Sequence, residues 1–287
     1  MESVLKAYRD VGDRVKADSA SAEVTDALGT LFARCQGYLA DTERQPLTSR
    51  VAGKDYFAFR RGSKHSRAVN TSLYLGNPDP VGSFLDAVHA NTPDAVPSFD
   101  ITRACYTVAM AFCCAIDLGK ERDQQTPGTL FEYLVCHLLS RRLGVKGIRE
   151  VDVLNLDMAA KLPTDYIFDL GQGRPKFHLP VKTSTRERAV QVWAHQRVLD
   201  GVYGTGRFSG ILVCLAETRL DSRKLEVIEI CVPLQWRLYQ MFIAQMKRVY
   251  YLDIPEPYRA LNNVFPRIRV RPIGDFFSEV DVLCDAD

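Results

Sequence analysis

Residues 163–188 read PTDYIFDLGQGRPKFHLPVKTSTRER. Two short β-type runs, 165–170 (DYIFDL) and 177–183 (FHLPVKT), flank a connection that carries Gly171, Gly173 and Pro175. Glycine adopts turn conformations that other residues resist and proline presets φ, so this pattern predicts a β-hairpin. Residues 186–199 then read as a helix. Val190, Trp193, Ala194, Arg197 and Val198 share a broad face, and Ser184 or Thr185 can cap its start. Strand-like runs follow at 210–216 (GILVCLA) and 224–232 (KLEVIEICV). Hairpin, helix, strand and strand in this order predict an α/β fold with a mixed central β-sheet flanked by helices.

The N-terminal side has a different character. Residues 1–39 read as helix with a break near Gly29, and 42–97 are richer in Gly, Pro, Ser and Asn and read as irregular. Residues 99–118 and 126–143 read as buried helices, the second with Leu130, Phe131, Leu134, Val135, Leu138 and Leu139 at helical spacing and Gly144 as a stop. Residues 151–156 suit a strand, 235–251 an amphipathic helix carrying Trp236, and 267–273 an edge strand or half-exposed arm. The expected organisation is a mainly helical region over 1–120 packed on a core over 121–287, the two forming one compact unit.

Composition narrows the function classes. Hydrophobic residues are 46% and charged residues 25% of 287, which excludes wholesale disorder, collagen and coiled coil. Lys and Arg number 37 against 35 acids, so any affinity for nucleic acid must be local. One local excess lies at 51–67 (VAGKDYFAFRRGSKHSR), with five cations against Asp55 and with Tyr56, Phe57 and Phe59 interleaved. It reads either as a solvated loop or as a loop in which Arg60, Arg61 and Lys64 grip phosphates while aromatics stack on bases. The start, MESVLKAYRD, lacks the apolar run of a signal peptide, and the 13 residues 104–116 suit a buried helix better than a membrane span. The eight cysteines form no CxxC pair and sit mostly in apolar surroundings. They read as reduced core thiols of a cytoplasmic protein without a zinc site or membrane contact.

Asp165 opens the first strand of the hairpin and Lys182 ends the second. A carboxylate and a lysine brought to one sheet face suit metal-dependent phosphodiester hydrolysis. The carboxylate holds Mg²⁺, and the ammonium supplies charge beside the reacting phosphate. Alone, such a pair is unspecific, because many hairpins carry one.

The surrounding words TPGTLFE (126–132), PTDYIF (163–168) and PVKTSTRER (180–188) resemble the type II restriction endonucleases of the PD-(D/E)xK superfamily. Within it they are similar to the group with a K-x3-R-(D/E)-R signature that cuts CCGG-, CCNGG- or CCWGG-type sites. The resemblance covers residues 126–196 and implies that the core over 121–287 is of nuclease type. It implies Asp165 as metal-binding aspartate, Lys182 as catalytic lysine and Glu132 as the helix glutamate supporting the metal. It implies Arg186, Glu187 and Arg188 as the triplet that reads C·G pairs, arginine donating to guanine and glutamate accepting from cytosine. It further implies Mg²⁺, with Mn²⁺ accepted, double-stranded DNA as partner, and a homodimer or higher oligomer on a palindromic site.

Two positions depart from that pattern. The acid of (D/E)xK is Pro180 here, and the carboxylate expected seven residues after Arg188 is His195. Seven residues are about two helical turns, which puts both positions on nearly one face. His195 can ligate metal, bind phosphate or be a surface residue. Two other functions therefore stand beside the restriction endonuclease: a DNA-binding protein of nuclease fold that does not cut, and a repair nuclease of the same superfamily in which 186–188 is only a salt-bridged helix start.

Overall fold

A computed structural model of the protein describes residues 1–153, 160–171, 173–186 and 188–284. The chain begins with α1 (Glu2–Asp18) and α2 (Ala22–Ala40). The break falls at 19–21, not near Gly29. Ser21 caps α2 by accepting from the Glu23 amide (3.3 Å), whereas Gly29 lies inside the helix. The expected irregular region over 42–97 is instead β1 (Glu43–Ser49), β2 (Tyr56–Arg61), β3 (Lys64–His65), β4 (Val69–Asn70) and α3 (Asp79–His89). The first four residues of β2 are all buried, so the strand shows no alternation by which to read it. Tyr56, Phe57 and Phe59 are core residues, which corrects the reading of them as base-stacking loop aromatics.

Next come α4 (Ser98–Gly119) and α5 (Gln125–Leu143), as expected. α4 is long and apolar enough to cross a membrane, but 89% of its apolar window is buried inside the protein. Gly144, at φ 68°, ends α5 in the left-handed region. The rest of the chain runs β5 (Ile148–Val153), β6 (Ala160–Phe168), β7 (Lys176–Leu179), β8 (Val181–Lys182), α6 (Ala189–Tyr203), β9 (Phe208–Cys214), β10 (Thr218–Asp221), β11 (Glu226–Glu229), α7 (Pro233–Phe242), β12 (Met246–Tyr251), α8 (Glu256–Arg259), β13 (Val270–Pro272) and α9 (Asp275–Cys284). The strand expected over 151–156 begins three residues earlier, and 154–156 lie outside the described residues.

The principal sheet has the order β13–β12–β9–β7–β6–β5, with β8 also on β9. β5, β6 and β7 are antiparallel, whereas β7, β9, β12 and β13 run parallel. It is thus the expected mixed sheet flanked by helices. A second sheet, β10–β11–β1–β2–β3 with β4 on β2, draws strands from both sides of the boundary expected at 120. The core likewise crosses that boundary: α1, α2, α4 and α5 share one apolar cluster with Phe168, Phe177, Val213 and Tyr250 of the principal sheet. A further cluster, with Trp193, Trp236 and Tyr258, joins α6 and α7 to strands of the same sheet. None of the eight cysteines is in a disulfide, and six of them are buried.

The helix expected over 235–251 stops at Phe242, and β12 replaces its second half. No Gly or Pro marks the change. The Gln240 side chain makes it, accepting from the Met246 amide (3.0 Å) and the Trp193 indole (3.1 Å) and donating to the Met246 carbonyl (3.2 Å). These bonds satisfy backbone groups that a continuing helix would have paired.

Candidate active site and DNA-reading segment

Pro163 sits within β6 and can donate nothing to the ladder. Ile148 pairs with Ile167 and Glu150 with Pro163, so four steps along β6 stand against two along β5. Asp165 lies in this bulge, a device that re-aims a side chain. On the other side, β6 pairs with β7 as a hairpin, with Gly171 (φ 65°) and Gly173 (φ 74°) in its connection. Pro180 then separates β7 from β8 and turns the backbone so that the Val181 amide donates to Asp165 Oδ2 (2.7 Å). Lys182 Nζ donates to the same oxygen at 2.5 Å, with the two side chains 15% and 19% exposed. The hairpin therefore brings Asp165 and Lys182 together, the juxtaposition expected from their spacing.

A cleft of about 240 Å³ surrounds this pair, lined by Pro163, Thr164, His178, Pro180, Gln191 and His195 among others. Glu132, on α5, forms an ion pair with Arg149 of β5. Burial and the Asp165 charge raise its carboxyl pKa, against the opposing pull of Arg149 and Lys182. Asp165 and Glu132 thus repel each other electrostatically, and a cation between them would relieve that repulsion. Among the described residues no group of three or more His, Cys, Asp or Glu is placed to hold a metal ion. Two carboxylates completed by phosphate oxygens and water nevertheless suit Mg²⁺, which dehydrates reluctantly.

His195 faces the cleft from α6. Burial and Lys182 lower its pKa, so its neutral form is favoured. His178, on β7, was not singled out by the sequence. It is fully buried and lies 6.5 Å from His195, ring centroid to centroid. Gln196 Nε2 donates to Asp200 (3.0 Å) and to the Phe208 carbonyl (2.9 Å), which leaves Gln196 Oε1 to accept from His178 Nδ1 (3.0 Å). The neutral tautomer is thereby set, with the lone pair on Nε2. An alternating FHL triplet gives no hint of this, because β7 is buried throughout all but its first residue.

Arg186 and Arg188 precede α6, which begins at Ala189 rather than 186. Arg186 donates to Ser184 Oγ (2.9 Å) and to the Thr218 carbonyl (3.4 Å), and Arg188 is exposed. Glu187 lies outside the described residues. Thr185 does not cap the helix. Its amide (2.8 Å) and hydroxyl (2.6 Å) both donate to Glu217 Oε1, which also accepts from the Tyr251 hydroxyl (2.7 Å). Glu217 is fully buried, burial raises its pKa, and Oε2 has no hydrogen-bond partner among the described residues. Nothing local marks Glu217 in the sequence, since it meets Thr185 from 32 residues away.

Glu217 thus anchors the segment between Lys182 and Arg188. Glu217→Ala would strand three buried donors, each costing about 1–3 kcal/mol. Urea denaturation is expected to show a loss on the order of 3 kcal/mol or more for Glu217→Ala, and about 1 kcal/mol or less for Glu217→Gln, which keeps an oxygen at Oε1. Equal stabilities of the two variants would remove Glu217 as the anchor.

Of the cations of the 51–67 stretch, Arg60, Arg61 and Lys64 stand on strands of the second sheet, each with a partner inside the protein. Arg60 pairs with Glu43 (2.8 Å) and Lys64 with Glu121 (3.0 Å), both exposed pairs. Arg61 lies over the Tyr38 ring (4.1 Å) and donates to the Tyr38 carbonyl (2.7 Å).

Two buried histidines carry a pH dependence. Burial pushes His178 and, on α5, His137 down to about 4 from the ordinary 6.5. Their neutral forms stabilise the fold fully above pH 6.5, and that contribution is lost as pH falls toward 4. By pH 5 the loss is about 2 kcal/mol for each. The raised carboxyl pKa values of Glu132 and Glu217 act in the opposite sense. His137→Asn isolates one term: Asn keeps a donor for the Ser19 carbonyl, which His137 Nδ1 contacts at 2.8 Å, but cannot titrate. Urea midpoints at pH 7 and 5 are expected to differ less in the variant than in wild type. An unchanged difference would exclude His137 as a source.

No protein-family model and no curated protein sequence matches the chain. Among solved structures it resembles the Type IIP restriction endonuclease Kpn2I, with a TM-score of 0.82 and 24% identity over 99% of this chain and 98% of that one. The complex of restriction endonuclease PspGI with substrate DNA is a fainter likeness, at a TM-score of 0.41 and 13% identity over 71% of this chain and 80% of that one. The fold is that of a restriction endonuclease, which settles the architecture and leaves the chemistry to the residues of the cleft.

Proposed function

We propose that the protein is a type II restriction endonuclease that hydrolyses double-stranded DNA at a short palindromic site containing C·G pairs, of the CCGG or CCNGG kind. The observation that carries this reading is the Asp165–Lys182 pair in a cleft, joined by three residues to an arginine-bearing segment before α6. Asp165 and Glu132 would hold Mg²⁺, and Mn²⁺ in its place, together with phosphate oxygens of the DNA. Bound there, the ion supplies charge neutralisation and a more acidic water. Lys182 places an ammonium where negative charge grows as the water oxygen bonds to phosphorus and the bond to the leaving oxygen breaks. The cleft histidine His195 takes an auxiliary part, holding water or phosphate where a carboxylate is missing.

Arg186, Glu187 and Arg188 read base edges, with arginine donating to guanine O6 and N7 and glutamate accepting from cytosine N4. Arg60 and Lys64 belong to exposed ion pairs worth little to the fold, so they can exchange a carboxylate for a DNA phosphate. Arg61 would add its charge from beneath the same surface. A palindrome offers two identical half-sites, which calls for a homodimer.

Plasmid DNA incubated with the protein and Mg²⁺ is the test. Discrete bands are expected, and run-off sequencing then gives the site. Sequence-selective binding without cutting under Mg²⁺ or Mn²⁺ would make it a binding protein, and a smear a repair-type nuclease. Arg188→Ala should lose about 1–3 kcal/mol of discrimination at one base pair. A gel-shift panel of single base-pair changes that leaves the wild-type profile intact would remove the triplet from base reading.

A further inference from the structure

The outer side of α7 carries an apolar stripe. Leu234, Leu238, Met241 and Phe242 are 67%, 54%, 44% and 74% exposed. Their spacing of four, three and one puts them on one helical face. Phe265 (77%) and Val264 (38%) adjoin it, because Arg237 of α7 donates to the Phe265 carbonyl through Nε (3.1 Å) and Nη2 (2.5 Å). Single exposed apolar residues need no explanation, but these six leave on the order of 700 Å² in water, above the largest patch of a typical monomer. That area is close to the roughly 800 Å² each partner contributes to a standard interface.

We propose that this face is where a second copy of the chain docks, in a two-fold symmetric dimer. Charge and position both point to a copy of itself. α7 has no acidic residue, and its one cation, Arg237, is tied to the Phe265 carbonyl, so the stripe needs no oppositely charged partner surface. An uncharged patch is self-complementary across a two-fold axis. The inner side of α7 packs against α6: Trp193 lies 5.2 Å from Trp236, which stacks on Tyr258 at 4.0 Å. Since α6 directly follows Arg188, an axis at α7 brings both DNA-reading segments within one or two helix widths, each about 8–10 Å, of the dimer axis. This choice of partner rests on the restriction-endonuclease reading, in which two copies share one palindrome.

Sedimentation equilibrium of the full chain without DNA tests the surface directly. Wild type is expected to be a dimer, and Leu238→Glu and Phe242→Glu to weaken it at least tenfold with unchanged circular dichroism and melting. Val282→Glu, an equally exposed position on α9 (64%), should leave it intact. A monomeric wild type, a dimer indifferent to both α7 substitutions, or a monomer that binds lipid vesicles through the stripe would overturn the proposal. Plasmid cleavage assayed in parallel separates the two readings. A dimer that the α7 variants dissolve, in a protein that never cuts, keeps the interface and removes the nuclease. A monomer that cuts at discrete sites does the reverse.

Discussion

Lys182→Ala is expected to slow Mg²⁺-dependent cleavage by about a thousandfold or more while cognate binding stays within about fivefold. Lys182 Nζ stands 2.5 Å from Asp165 Oδ2, and both side chains are largely shielded from water. In such a site a fixed ammonium stabilises developing phosphate charge by several kcal/mol, which water cannot replace without reorganising. Binding is spared because Arg186 and Arg188 belong to the segment anchored by Glu217, which the substitution leaves in place. Single-turnover cleavage measures the first effect and gel shift without Mg²⁺ the second. Cleavage within tenfold of wild type would exclude Lys182 from the chemistry.

Asp165→Asn should be about as damaging, for a different reason. An amide oxygen can still accept from the Val181 amide, as the carboxylate does at 2.7 Å. That oxygen, in the place of Oδ2, can also accept from Lys182 Nζ, but the NH₂ group then replaces Oδ1 and offers a cation a donor instead of an acceptor. The remaining oxygen is a poor ligand for a hard cation. The substitution also removes a charge that raises the Glu132 pKa, so Glu132 returns toward the ordinary carboxyl range. A Mg²⁺ titration of cleavage is expected to show no activity at concentrations that saturate wild type. Full activity at ordinary Mg²⁺ would end the assignment of Asp165 to the cation. Glu132→Gln should cost less, since Glu132 already has Arg149 as its partner.

The hairpin, the helix α5 and the buried helix α4 were legible in the sequence because local signals carry them: glycine and proline in a turn, apolar residues at helical spacing, a glycine stop. The meeting of Asp165 with Lys182 was legible for the same reason, since a hairpin of known register brings its ends together. β2 was not legible, because its first four residues are all buried and lose the alternation that reveals a strand; β1, mostly exposed and polar with Pro46 inside it, was hidden by loop-like composition. The end of α7 was equally hidden, being made by Gln240 reaching Met246 and Trp193.

The sequence by itself determined the class of fold, the candidate carboxylate and lysine, and the position of the arginines beside them, all of which depend on neighbours within about 25 residues. Only the tertiary structure decided that Glu217 anchors the segment between Lys182 and Arg188, that His178 shares the cleft with its tautomer set by Gln196, and that β1 pairs with β11 across the middle of the chain. The first and last of these contacts join residues far apart in sequence, and the His178–Gln196 bond crosses from a strand to a helix, where no local spacing rule marks it. Burial, which removes water as an alternative hydrogen-bond partner, gives them their energetic weight.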